Sequence, residues 1–164
     1  MRRVAVDELA LRPFHVLDEE WALLVAGKAR PNPMTVSWGG FGTLWSRPVV
    51  TVYVRPTRHT FGCLEDGEFT LNVLPPGERA ALELCGASSG RDLDKWAAAG
   101  LTPEPGVEVA VPRVAGARLA FECRVLGTVD LDPARFRDPA IATLYPERDF
   151  HRVFFGHVLA VFTD

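Results

Sequence analysis

Leu119, Phe121, Cys123 and Val125 fall on one side of a two-residue period, and Arg118, Glu122 and Arg124 fall on the other. An extended strand turns such a sequence into one dry face and one wet face, which a helix of 3.6 residues per turn does not. The same alternation recurs where Val50, Val52 and Val54 interleave with Thr51, Tyr53 and Arg55, and where Phe69, Leu71 and Val73 interleave with Thr70 and Asn72. Residues 21–26, 34–38 and 153–162 add three further stretches rich in β-branched and aromatic side chains, which favour strands. Helical signals are short: 58–65 after Pro56-Thr57, 78–85 ending before Gly86, and 91–99 ending before Gly100. Six strands with short helices predict a mainly β, antiparallel domain closed or nearly closed on itself, because closure removes exposed edges. Gly39, Gly40 and Gly42 read as a turn.

The 164 residues fit one domain, and 48% hydrophobic content supplies a real core. A net charge of -3 and a pI near 5.8 provide no general basic field, which argues against nucleic acid as a partner. No apolar run is long enough for a membrane-spanning helix. Met1–Pro13 carries Asp7, Glu8 and Arg12, unlike a signal peptide. Cys63, Cys85 and Cys123 are far apart and form no C-x-x-C pair, so a reducing, cytoplasmic setting is expected. The four histidines lack metal-ligand spacing, so no metal is expected. No G-x-G-x-x-G, Walker or G-x-S-x-G pattern occurs, which removes the Rossmann, P-loop and serine-hydrolase readings.

Two segments place cations where a helix dipole disfavours them. In the first, Ser89 caps a helix with Asp92 as reciprocal partner. Leu93, Trp96 and Ala97 form its buried stripe, and Arg91 and Lys95 share another face. In the second, Pro56 ends a strand at Arg55 and Thr57 caps a helix beside Arg58. An anion at the free amides accounts for both, and suggests a phosphorylated ligand. The alternatives are surface pairing of Arg91 and Lys95 with Asp92 and Asp94, and a plain turn with solvent-facing arginines. On the Asn32–Trp38 strand, Thr35 and Ser37 share a face that suits the polar edge of a flat heterocycle. Trp38 is either part of that pocket or a core residue.

Four blocks in order, Asn32-Pro-Met-Thr-Val-Ser-Trp38, Val52-Tyr-Val-Arg-Pro-Thr-Arg-His-Thr60, Ser89-Gly-Arg-Asp-Leu-Asp-Lys-Trp96 and His151-Arg-Val-Phe-Phe-Gly-His-Val158, resemble the flavin reductase-like FMN-binding split barrels, of the flavoredoxin type. The similarity covers about residue 15 to the C-terminus. It implies a six-stranded Greek-key barrel with short flanking helices, a homodimer, and FMN near the subunit interface. It places Asn32, Thr35, Ser37 and Trp38 along the flavin ring. Arg55, Pro56, Thr57, Arg58 and Thr60, completed by Ser89, Gly90, Arg91 and Lys95, fall at the phosphate and ribityl chain. His151 matches a histidine near the flavin or nicotinamide. A tyrosine is common in the family where His59 stands, and an acidic residue where His157 stands.

The implied activity is hydride transfer from NAD(P)H to FMN and onward to a second acceptor, which includes a redox partner protein. The alternatives are an FMN electron carrier without its own NAD(P)H oxidation, a split barrel using a deazaflavin, haem or pyridoxal phosphate, and an empty barrel acting as a binding module.

Overall fold

A computed structural model describes all residues 1–164. The strands are β1 (Arg2–Val4), β2 (Ala22–Ala26), β3 (Asn32–Val36), β4 (Gly39–Leu44), β5 (Arg47–Val54), β6 (Glu68–Val73), β7 (Pro103–Glu104), β8 (Arg113–Val114), β9 (Leu119–Asp130) and β10 (Arg152–Thr163). The helices are all short: α1 (Pro13–His15), α2 (His59–Cys63), α3 (Arg79–Ala87), α4 (Lys95–Ala98) and α5 (Ala140–Thr143). No helix is long and apolar enough to cross a membrane.

One antiparallel sheet runs in the order β3-β2-β6-β9-β10-β5-β4, with β1 added to β10; β7 and β8 form a separate ribbon. Within it, β5-β10-β9-β6 is a Greek key traced from the C-terminal strand. The sheet rolls around a core that takes alternate residues of its strands, including Leu24, Val52, Leu71, Phe121 and Phe154. The outer face of β2 is covered by α3 and the 109–117 segment, which bury Leu23, Val25, Leu82, Cys85 and Val111 in a second cluster. All six strands expected from alternation are present.

Four strands were not expected: β1 and β4 in the main sheet, and β7 and β8 in the small ribbon. Gly39, Gly40 and Gly42 are not a turn but part of β4, paired along β5. A Cβ on Gly39 would lie 2.6 Å from the Thr51 carbonyl oxygen, so glycine serves close strand approach here. The actual turn is Trp45-Ser46, with both residues at positive φ (51° and 58°), as a two-residue type I′ hairpin requires.

The helix near residue 91 also differs. Residues 91–94 are not helical, and α4 begins at Lys95 because Asp94, not Ser89, is its cap, accepting from the amides of Trp96 and Ala97. The Ser89 carbonyl instead closes a turn with the amides of Asp92 and Leu93. With Lys95 drawn inward, the expected stripe is lost: Leu93 is 39% exposed and Ala97 is also exposed. Gly86 does not stop α3, which runs on to Ala87.

Candidate functional site

β3 and β4 are the two ends of the sheet order, and the chain joins them through Ser37-Trp38. This seam holds a cleft of about 170 Å³, lined among others by Thr35, Ser37, Trp38, Tyr53, Arg55 and His151. A second cleft of about 150 Å³ shares Met34 and Arg58 with it and continues past Thr57, Thr60, Ser89, Gly90, Arg91 and Lys95. The structure therefore brings three of the four sequence blocks to the second cleft, and the fourth, through His151, to the first.

No carboxylate lines either cleft, in a chain with net charge -3. Lys95 is only 3% exposed, and its Nζ donates to the carbonyls of Pro33 (3.0 Å) and Cys85 (2.8 Å). Burial lowers its pKa, and no acidic side chain stands within ion-pair distance. Arg58 donates through Nη1 to the Gly86 carbonyl (2.9 Å) and Arg91 through Nη1 to the Thr57 carbonyl (3.3 Å). Each guanidinium has five N–H donors, so one backbone bond positions it and leaves the others for an anion. Neither Arg91 nor Lys95 pairs with Asp92 or Asp94.

Arg55 is occupied differently. It donates to Asp149 (2.8 Å) and the Leu144 carbonyl (2.9 Å), and its guanidinium lies 4.8 Å from the centre of the Tyr145 ring. Thr57 is not a helix cap; its hydroxyl donates to Asp149 (3.0 Å). Burial opposes the Asp149 charge, but the Thr57 hydrogen bond and Arg55 together hold its pKa below the ordinary value. Pro56 sits in the turn closed by the Arg58 amide on the Arg55 carbonyl (3.0 Å). Arg55, Pro56 and Thr57 thus shape this edge and fasten the 144–149 loop to it. With α2 and α4 each a single turn, side chains rather than helix dipoles make the clefts positive.

Asn32 is buried and donates through Nδ2 to Thr60 Oγ1 (2.7 Å), which ties β3 to α2. A Cβ on Gly90 would lie 1.9 Å from Asn32 Oδ1, so only glycine lets the 88–91 turn close against that amide. Ser89 Oγ accepts from the Arg91 amide (3.2 Å), which fixes the same turn. Thr35 faces the seam, but its hydroxyl is used by the Leu82 carbonyl. Trp38 is not a core residue: it is 44% exposed at the mouth, 5.2 Å from the His151 ring.

His151 is 8% exposed, with Nδ1 2.7 Å from the Tyr145 hydroxyl. Burial first, and then Arg55, bring its pKa down to about 4 against an opposing contribution from Asp149. Burial also raises the Tyr145 pKa, which keeps that phenol protonated. Where the phenol donates to Nδ1, the imidazole proton sits on Nε2. Tyr145 and Asp149 escaped sequence reading because the 131–150 segment has no period. Tyr53 stood on a recognised strand but was not singled out.

The folded His151 stays neutral where an unfolded histidine, with pKa near 6.5, takes up a proton. The His151 contribution to stability is therefore expected to be level above about pH 7, to fall as pH drops toward about 4, and to level below that. The loss from this group between pH 7 and 5 is about 2 kcal/mol. Urea titrations at both pH values check it: His151→Asn should flatten the difference by that amount, and an unchanged slope contradicts the neutral assignment.

Residues 20–164 match the model of the flavin reductase like domain. The chain belongs to the flavin reductase-like family. Its fold is shared with flavoredoxin of Desulfovibrio vulgaris (TM-score 0.71, 22% identity, 100% of this chain and 77% of that one). An FMN-binding protein from Thermus thermophilus, solved with 1-cyclohex-2-enone, is similar at TM-score 0.68 and 25% identity, over 99% of this chain and 80% of that one. An uncharacterised Deinococcus radiodurans protein is 32% identical over 103 residues, 58% of this chain, and the match spans 45% of that protein's length. No group of three or more His, Cys, Asp or Glu side chains is placed to hold a metal ion.

Proposed function

We propose that this flavin reductase-like domain binds FMN and passes electrons from NAD(P)H through it to a second acceptor. The observation that carries the reading is the convergence of Arg58, Arg91 and the buried Lys95 on a cleft that holds no carboxylate. A doubly charged phosphate fits that donor set, and the adjoining seam cleft, between Ser37, Trp38, Tyr53 and His151, fits a flat ring. The Thermus protein's description as FMN-binding, at 25% identity, supports the same assignment.

In this reading Arg58, Arg91 and Lys95 grip the phosphate, and Ser89 and Gly90 shape the turn that admits it. Bound FMN supplies the hydride-accepting and electron-passing chemistry. Ser37 offers a hydroxyl to the ring edge, and Trp38 shields the seam from water. His151 offers Nε2–H as a neutral donor where negative charge develops, with Tyr145 setting its tautomer. Arg55, held by Asp149, adds positive potential beside it. Titrating the apoprotein with FMN and then adding NADH or NADPH without oxygen tests the assignment. Saturable binding followed by bleaching of the flavin absorbance is expected. A flavin that binds but bleaches only with dithionite identifies an electron carrier, and a protein that binds no flavin overturns the reading.

The domain is further proposed to be a homodimer through the outer face of β4, β5, β10 and β9. Phe155 lies there between Thr51 and the bare Gly127 in the sheet register, with Trp45 (61% exposed) edge-on at 5.9 Å and Val129 49% exposed. An exposed indole packed on a half-buried phenylalanine, with an exposed valine beside them, is the kind of apolar patch that marks an interface. Tyr53, on the same face, also lines the seam cleft, so a second copy closes the site. Phe155→Arg is expected to sediment as a monomer at micromolar concentration where the unmodified chain sediments as a dimer. A monomeric unmodified chain contradicts the proposal.

A further inference from the structure

β9 and β10 are antiparallel neighbours whose ends, Asp130 and Arg152, stand opposite each other in the register. About two to five residues close such a hairpin, yet here the connection takes residues 131–151. The base of this excursion is stapled. Arg152 donates from Nε (2.6 Å) and Nη2 (3.0 Å) to the Asp130 carboxylate, and the Leu131 amide donates to the His151 carbonyl (3.0 Å). Beyond the base it has a small core of its own, with ring centres 4.9 Å apart for Tyr145 and Phe150 and 5.8 Å apart for Phe136 and Phe150. None of these three joins the barrel core or the α3 cluster. A segment that packs mainly on itself opens as a unit.

The fastening of that unit to the barrel is narrow. Every hydrogen bond between residues 132–150 and the rest of the chain ends on Arg55, Thr57 or His151. Asp149 accepts two of them, and its side chain is only 11% exposed. The residue before it, Arg148, is held at φ 55°, a left-handed conformation that strains a residue bearing a Cβ. Such strain persists where neighbouring contacts over-determine it, and the Asp149 contacts are the adjacent ones. Residues 131–150 line neither cleft, yet Arg55 and His151 both line the seam cleft. The excursion therefore holds those two groups from behind. Asp149 and the Leu144 carbonyl fix the guanidinium, and Tyr145 bonds the imidazole and stands edge-on to it at 5.4 Å.

We propose that Asp149 is a positioning residue for the seam cleft, clamping the 131–151 excursion so that one carboxylate keeps both Arg55 and the Tyr145–His151 pair in place. Its bearing on electron transfer rests on the flavin reading above; the clamp itself is tested on the full-length apoprotein. In Asp149→Ala, amide hydrogen exchange is expected to quicken about tenfold or more across 132–150 and to stay within about twofold in β6 and β9. The second readout is the midpoint of the His151 ring titration, followed by proton NMR. Burial most of all, then Arg55 and Arg58, disfavour the charged ring, and only Asp149 favours it. Loss of the carboxylate with the excursion still in place therefore lowers the midpoint below about 4. Release of the excursion exposes the ring and raises the midpoint toward the ordinary value of about 6.5. A rise is the expected result. Tyr145→Phe, which keeps the ring packed, is expected to leave exchange across 132–150 within about twofold. A midpoint that falls or stays, exchange that quickens equally through the barrel, or an excursion loosened as much by Tyr145→Phe as by Asp149→Ala overturns the clamp. A chain that binds no flavin overturns the flavin reading and not the clamp.

Discussion

Replacing Arg58 and Arg91 together with alanine is expected to weaken FMN binding by roughly two to four decades, about 3–6 kcal/mol, with the barrel still folded. Each arginine brings charge-assisted donors to the phosphate, and each such contact contributes roughly 1.5–3 kcal/mol. The fold depends on them little. Both side chains are largely exposed, and each donates to a single backbone carbonyl, of Gly86 or Thr57. Lys95 is a poorer choice for the experiment, because its buried ammonium holds the carbonyls of Pro33 and Cys85 and its loss would disturb α3 and β3. Riboflavin, which lacks the phosphate, is the internal control: its affinity should stay within about twofold in the double variant. Retained FMN affinity, or an equal loss for riboflavin, would place the phosphate elsewhere.

The strands that carry the site were legible because one face of each packs its apolar side chains into the barrel core, and that period of two survives in the sequences of β5, β6, β9 and β10 even where the other face is covered as well. β4 was hidden because Gly39, Gly40 and Gly42 replace its alternating side chains, and glycine in a strand is indistinguishable from glycine in a turn until its partner is known. The cations were found for a reason that proved only partly right. Arg58, Arg91 and Lys95 do converge, yet through the 88–91 turn and a buried lysine rather than through helix ends. Ser89 and Asp94 are both sound caps by type, and the choice between them is made by where Lys95 goes. Its inward path to Cys85, ten residues away, is a tertiary fact. Arg55 shows the same limit: its partner Asp149 is 94 residues distant and carries no local signature.

Glu122→Gln is expected to lower the free energy of unfolding by about 3–5 kcal/mol, the range for breaking a buried ion pair, and the melting temperature by about 10 °C. Glu122 is fully buried on the outer side of β9, where alternation alone marks it as solvent-facing. Its carboxylate accepts from the amides of Val107 (3.0 Å) and Glu108 (2.6 Å), and Arg113 Nε approaches to 3.2 Å without a well-aimed hydrogen bond. Glutamine keeps the shape but loses the charge opposite Arg113 and turns an N–H₂ toward backbone donors. The 105–117 segment so anchored packs on α3, whose carbonyls at Cys85 and Gly86 hold Lys95 and Arg58. The stability of this outer lobe therefore reaches the proposed phosphate cleft, and FMN should recover part of the lost melting temperature by mass action. Removing both charges separates charge from packing. Arg113→Met with Glu122→Leu should be more stable than Glu122→Leu alone, because no buried cation is left with only the partly exposed Glu104 carboxylate at 3.6 Å; Val107, 60% exposed, can give its amide to water. A Glu122→Gln loss below about 1 kcal/mol, the scale of an exposed pair, would mean that the lobe is held by its apolar contacts alone.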